Sequence, residues 1–179
     1  MAVDLAALKP EFRSRVRTLL EACGARDVEM RPYGAIRSPF QQARLWRQSR
    51  AREEILAQIK AFREAGAPFL AHCLASVGPQ YGKHVTNALP GFSWHQWAEA
   101  VDCFWVVDGK AEWSTTRAVG GVNGYRVYAE EAERLDLTAG GLWTSFRDWP
   151  HVQARPDAHP GAAYSLSRID AEMKRRFEA

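Results

Sequence analysis

The chain has 179 residues, 46% hydrophobic and 25% charged, with seven Trp and a formal net charge of +3. Its length and apolar share suit one domain with a core of its own and exclude a disordered tail. No run approaches the roughly 18–20 apolar residues that cross a bilayer, and three cysteines (Cys23, Cys73, Cys103) without C-x-x-C spacing argue against a disulfide framework or a thiolate zinc site.

Leu5, Leu8, Phe12, Val16, Leu19 and Leu20 recur at helical spacing and predict a helix over 4–22, with Gly24 as its stop. Val28, Met30 and Ile36 predict a short strand within 28–37. Ser38-Pro39 offers a capping hydroxyl and then a proline whose missing N–H costs nothing, so a helix containing Gln42, Leu45 and Trp46 starts there. Another over 52–65 stops at Gly66, and 66–92 reads as loop with a short helix near 68–76. AVDCFWVV, Ala100 to Val107, predicts a strand, and Asp108-Gly109 a hairpin turn into Lys110–Trp113. A helix over 123–136, a break at Gly140-Gly141, a short segment at His151–Gln153 and a closing helix over 165–178 complete the chain. Helices and antiparallel strands without regular alternation give an α+β domain spanning 1–179. The basic residues are densest at Arg44, Arg47, Arg50 and Arg52 and at Lys174, Arg175 and Arg176. They read as solvated helix faces, not a nucleic-acid patch.

The chemistry concentrates in SWHQWAEAVD (93–102) and LWTSFRDWPHVQ (142–153). Strand alternation puts Ala100, Asp102 and Phe104 on one face and Val101, Cys103 and Trp105 on the other, so Cys103 is expected in the core. Small Ala100 leaves room beside Asp102, and His95, in the preceding loop, can fold back toward it. Pro150 disfavours a helix interior, and a turn at Trp149-Pro150 brings Asp148 and His151 to one site, with His151 opening a strand. Two imidazoles and one carboxylate (His95, Asp102, His151), with a fourth position for water, match the ligand count of a catalytic zinc, and Asp148 is the candidate proton acceptor. Of the other histidines, His84 has Gly91 where an acidic ligand would follow, His72 is expected in or near the core, and His159 in an exposed loop. Tyr125, Trp143 and Trp94 are candidates for a cleft lining, although aromatic residues are more often core.

These motifs resemble the bacterial and phage D-alanyl-D-alanine carboxypeptidase and L-alanyl-D-glutamate endopeptidase family of zinc peptidases. Ser-x-His-x(6)-Asp, with Ala two before the Asp, and the later Asp-x-x-His carry the resemblance. IRSPFQQARLW (36–46) and NALPGFSWH (87–95) extend it over roughly 33–153. The resemblance implies zinc held by His95, Asp102 and His151, and Asp148 as general base and acid. It also implies Arg37 on the substrate or the developing oxyanion, with Ser93 and Gln42 shaping the site. The implied fold is a small antiparallel sheet flanked by helices, like the hedgehog signalling domain. One position departs: the family carries Gly three residues after its first ligand His, and here stands Ala98, followed by Glu99. If the backbone there takes φ > 0, Ala costs roughly 1 kcal/mol or more. Glu99 reads as an exposed surface carboxylate, with an acid that supports the ligands from behind as the alternative.

The function so implied is zinc-dependent hydrolysis of a peptidoglycan stem-peptide bond, L-alanyl-D-glutamate foremost, by a monomeric phage or prophage endolysin. Such an enzyme binds no nucleic acid and does not insert stably in a membrane. MAVDLAALKPEF lacks the apolar core of a signal peptide, so cytoplasmic synthesis and release to the wall through a partner pore are expected. Three other functions compete: a D-alanyl-D-alanine carboxypeptidase or dipeptidase, a non-catalytic wall-binding domain of the same fold, and a non-haem iron oxygenase. The last usually takes His-x-Asp/Glu spacing, whereas Trp97 stands two residues after His95 here.

Overall fold

The structure is a computed structural model that describes residues 3–178. Its described residues form seven α-helices and one five-stranded antiparallel sheet, an α+β fold. The helices are α1 (Pro10–Gly24), α2 (Pro39–Arg47), α3 (Arg52–Glu64), α4 (Pro68–Ser76), α5 (Gly124–Arg134), α6 (Pro160–Ala163) and α7 (Leu166–Phe177). The strands are β1 (Glu29–Gly34), β2 (Ala100–Val107), β3 (Lys110–Glu112), β4 (Thr138–Ala139) and β5 (His151–Gln153), in the order β1-β2-β5-β4, with β3 also pairing β2.

Two compact units divide the chain, one of Met1–Ile36 with Trp97–Pro156, the other of Arg37–Gln96 with Asp157–Ala179. The first holds the sheet. Phe12, Val16, Leu19 and Cys23 of α1 and Tyr125, Tyr128 and Ala132 of α5 pack with Val101, Cys103 and Trp105 of β2 in one buried cluster. Alternation along β2 thereby commits one face to the core and leaves Asp102 on the other. Residues Leu70, Leu74, Ile169 and Met173 of α4 and α7 are fully buried in the second unit. There Asp170, buried on α7, accepts a hydrogen bond from the Leu70 backbone N–H (2.8 Å), satisfying a donor in the first turn of α4.

Local signals explain most boundaries. Ser38 caps α2 through a full capping box with Gln41. Asn123 and Ser165 cap α5 and α7, and Asp108 and Gly109, both at positive φ (50° and 73°), turn β2 into β3. The helix expected from residue 4 is divided. Leu5–Ala7 is one 3-10 turn capped by Asp4, and α1 begins only at Pro10. A proline there supplies no N–H to a continuing helix and pushes Lys9 into an extended conformation. Arg44, Arg52, Lys174 and Arg175 are exposed as expected of solvated helix faces, but two residues of the first basic stretch differ. Arg50 stacks on the Trp46 ring (4.2 Å) and donates to Thr86 O, while Arg47 donates to Leu74 O (2.8 Å), so both pin the chain together. No described helix is long and apolar enough to cross a membrane.

Candidate metal centre

Three strands aim the centre. In the sheet register Asp102 lies beside Gly34 of β1 and beside His151 of β5. A Cβ on Gly34 would stand 2.9 Å from Asp102 Oδ2, so the absence of a side chain gives the carboxylate its room. His151 opens β5, as Trp149-Pro150 turn the chain between Asp148 and it, and its N–H donates to Asp148 O (3.1 Å). Asp148 N–H in turn donates to Gly140 O (3.1 Å), and a Cβ on Gly140 would collide with Asp148 O and come within 3.2 Å of His151 Cβ. The Gly140-Gly141 break therefore lets the Asp148–His151 turn close down on it.

His95 comes from a 3-10 turn, Trp94–Trp97. Buried Trp94 anchors that turn by donating Nε1 to Asp157 O (2.8 Å), and the Gln96 N–H donates to Ser93 O (3.0 Å). The chain leaves the turn through Ala98, at φ 58°, the left-handed conformation that makes glycine the easier residue there.

One ligand atom from each of His95, Asp102 and His151 lies within 4.8 Å of the others, and all three residues are buried. His151 Nδ1 stands 3.1 Å from Asp102 Oδ1. Burial alone would lower the His151 pKa; the hydrogen bond and charge of Asp102, with the charge of Asp148, outweigh it and raise the pKa above its ordinary value. Two imidazoles and a carboxylate, buried and converging, give a donor set able to bind a metal ion. Cys103 is on the opposite face, and burial pushes its thiol up to about 12, which keeps it protonated and out of any ligand set. Cys23 and Cys73 are held at about 12 for the same reason.

Asp148 is exposed on the turn before His151. The other site residues expected from the sequence are in the second unit. Arg37, half-buried, donates Nη1 to Gln42 Oε1 (3.0 Å), while Gln42, wholly buried, donates Nε2 to Ala88 O (2.7 Å). Arg37 N–H also donates to His95 O (3.4 Å), and Ser93 is half-buried one residue before Trp94. Trp143 packs its ring 5.4 Å from that of His151, whereas Tyr125 and Trp94 are core residues.

Three residues depart from expectation. Glu99 is buried, with 6% of its side chain exposed, and pairs with Lys9 Nζ (2.8 Å) and Arg155 Nη2 (3.2 Å), because the strand it precedes runs straight into the core. His72 lies on the exposed side of α4, its ring edge-on to Phe40. Gln153 joins the site although neither Ser-x-His-x(6)-Asp nor Asp-x-x-His includes it. It is buried and its Oε1 stands 3.0 Å from His151 Nε2. The signal was there, since Gln153 follows His151 by two and so shares its strand face. His84 and His159 are exposed.

A family model described as D-alanyl-D-alanine carboxypeptidase matches residues 5–120, a span that includes His95 and Asp102 and ends before Asp148 and His151. Among solved structures the chain is similar to the L-Ala D-Glu endopeptidase ChiX of Serratia marcescens, at 17% identity and a TM-score of 0.44, over 83% of this chain and 81% of that one. No curated protein matches.

Proposed function

The chain belongs to the D-alanyl-D-alanine carboxypeptidase family, and from that premise we propose that it is a zinc-dependent peptidase that hydrolyses a stem-peptide bond of bacterial peptidoglycan. The observation that carries this reading is the convergence of His95, Asp102 and His151 within 4.8 Å. These three side chains hold the ion. Zinc in such a donor set supplies a nucleophile at neutral pH and polarises the scissile carbonyl. Asp148 accepts the proton released during attack and returns it to the leaving amine. Arg37, its guanidinium oriented by Gln42, donates to a substrate carboxylate or to the developing oxyanion, and Ser93 shapes the approach to His95.

The bond we assign is L-alanyl-D-glutamate, on the motif resemblance over 33–153. The family match itself favours a second reading, removal of a terminal D-alanine. In either case the whole chain acts as one monomeric peptidase domain on the stem peptide, and we place it as a phage or prophage endolysin that reaches the wall through a partner pore. Digesting purified peptidoglycan with the zinc-loaded protein and analysing the products by mass spectrometry tests both. New D-glutamate amino termini support the endopeptidase, and free D-alanine supports the carboxypeptidase. Wall binding without new termini would leave a non-catalytic domain and sink the proposal. Iron in place of zinc, in protein purified without added metal, would turn the reading toward an oxygenase.

A further inference from the structure

Gln153 lies opposite Ala100 in the β2–β5 register, and the small alanine leaves space for its amide beside Asp102 and His151. Only 1% of Gln153 is exposed. Its amide orientation is fixed from outside the centre. Nε2 stands 2.7 Å from Arg155 O, a carbonyl that can only accept, so the amide nitrogen must point there. The amide oxygen is then the atom 3.0 Å from His151 Nε2. An amide oxygen also only accepts, so the hydrogen on that edge of the imidazole belongs to Nε2. The other ring nitrogen, Nδ1, faces Asp102 Oδ1 at 3.1 Å. A neutral ring with its hydrogen on Nε2 presents the Nδ1 lone pair to a carboxylate oxygen. Two acceptors at that separation are reconciled by a shared cation, a proton in the metal-free chain or a metal ion in the loaded one.

We propose that Gln153 is a positioning residue of the metal centre: it fixes His151 with its hydrogen on Nε2 and so turns Nδ1, beside Asp102, to the ion. The inference rests on the metal-dependent function proposed for the centre and extends it to a residue that touches neither substrate nor ion. Partners of this kind typically change metal affinity 10–100-fold by setting the tautomer and ring orientation of a ligand.

The test uses the full chain with ring-15N histidine, read by long-range proton–nitrogen correlation with and without zinc. The His151 signals are expected to show a protonated Nε2 in the zinc form, with Nδ1 as the zinc-shifted nitrogen. Zinc on Nε2 would overturn the proposal in the wild-type chain itself, without any variant. Gln153→Met, which removes the acceptor, is expected to weaken zinc binding about 10–100-fold and to lose the single tautomer. Gln153→Glu, which keeps an acceptor, is expected to restore the tautomer and most of the affinity. Unchanged tautomer and affinity in Gln153→Met would remove Gln153 from its role and leave the zinc-dependent function intact. If the wild-type chain binds no zinc, that function fails instead, and the metal-free spectrum still judges Gln153 by whether Nε2 carries the hydrogen.

Discussion

Glu99 and Asp102 are two buried carboxylates three residues apart, one just before β2 and one within it, and they have opposite company. Glu99 meets Lys9 and Arg155, side chains about two-fifths exposed that reach in from solvent with fixed positive charge. Asp102 meets His151 and shares its surroundings with His95, both buried. Permanent cations neutralise a carboxylate and repel any metal that approaches it. Imidazoles can offer lone pairs, so the same acidic group among histidines becomes part of a donor set. Burial therefore does not identify a ligand; the partners of the buried group do.

Removing one member from each group should separate the two most strongly. His151→Ala should abolish both zinc binding and turnover, read by metal analysis and by release of amino termini, because a ligand is lost outright. Glu99→Gln should instead leave the zinc stoichiometry unchanged and lower unfolding stability by about 1–3 kcal/mol, measured in denaturant, since it removes charged hydrogen bonds at a buried position. A changed zinc stoichiometry in the Glu99 variant would merge the two regions into one.

The two regions should also differ in their response to pH in the metal-free protein. The raised His151 pKa means that its contact with Asp102 stabilises the fold fully below the ordinary imidazole value of about 6.5 and that this contribution is lost as pH rises through the higher folded value. Melting temperatures across that window should fall with pH in the wild type. They should lose that slope in Asp102→Asn and keep it in Glu99→Gln. The smallest effect is expected in the turn between His95 and Glu99: Ala98→Gly relieves a left-handed alanine and should stabilise the chain by about 1 kcal/mol. No gain in denaturant would show that the turn after His95 carries no strain.

Features that depend on near neighbours were legible in the sequence. The Ser38-Pro39 start, the Asp108-Gly109 turn and the alternation of Ala100 to Trp105 depend on residues a few positions away. So does the turn that joins Asp148 to His151. Ala98 was legible in part, because a glycine expected in the resemblance signals positive φ. What long-range pairing decides was not legible. Glu99 became buried through Lys9, 90 residues earlier, and Arg155, 56 residues later. His72 faces out although its helix is otherwise apolar, and the two-residue β4 and four-residue α6 are too short to show a period. Gln153 was legible only as sharing a strand face with His151; its place opposite Ala100 required the sheet register.

Whether the His95, Asp102 and His151 cluster is a catalytic metal centre is decided by zinc stoichiometry and turnover measured together on the wild-type chain and Asp148→Ala. One zinc per chain is expected in both, with peptidoglycan hydrolysis reduced by about 10²–10⁴-fold in the variant, as when a general base and acid is removed from an intact centre. Loss of zinc in Asp148→Ala, or full activity without that carboxylate, would contradict the assignment.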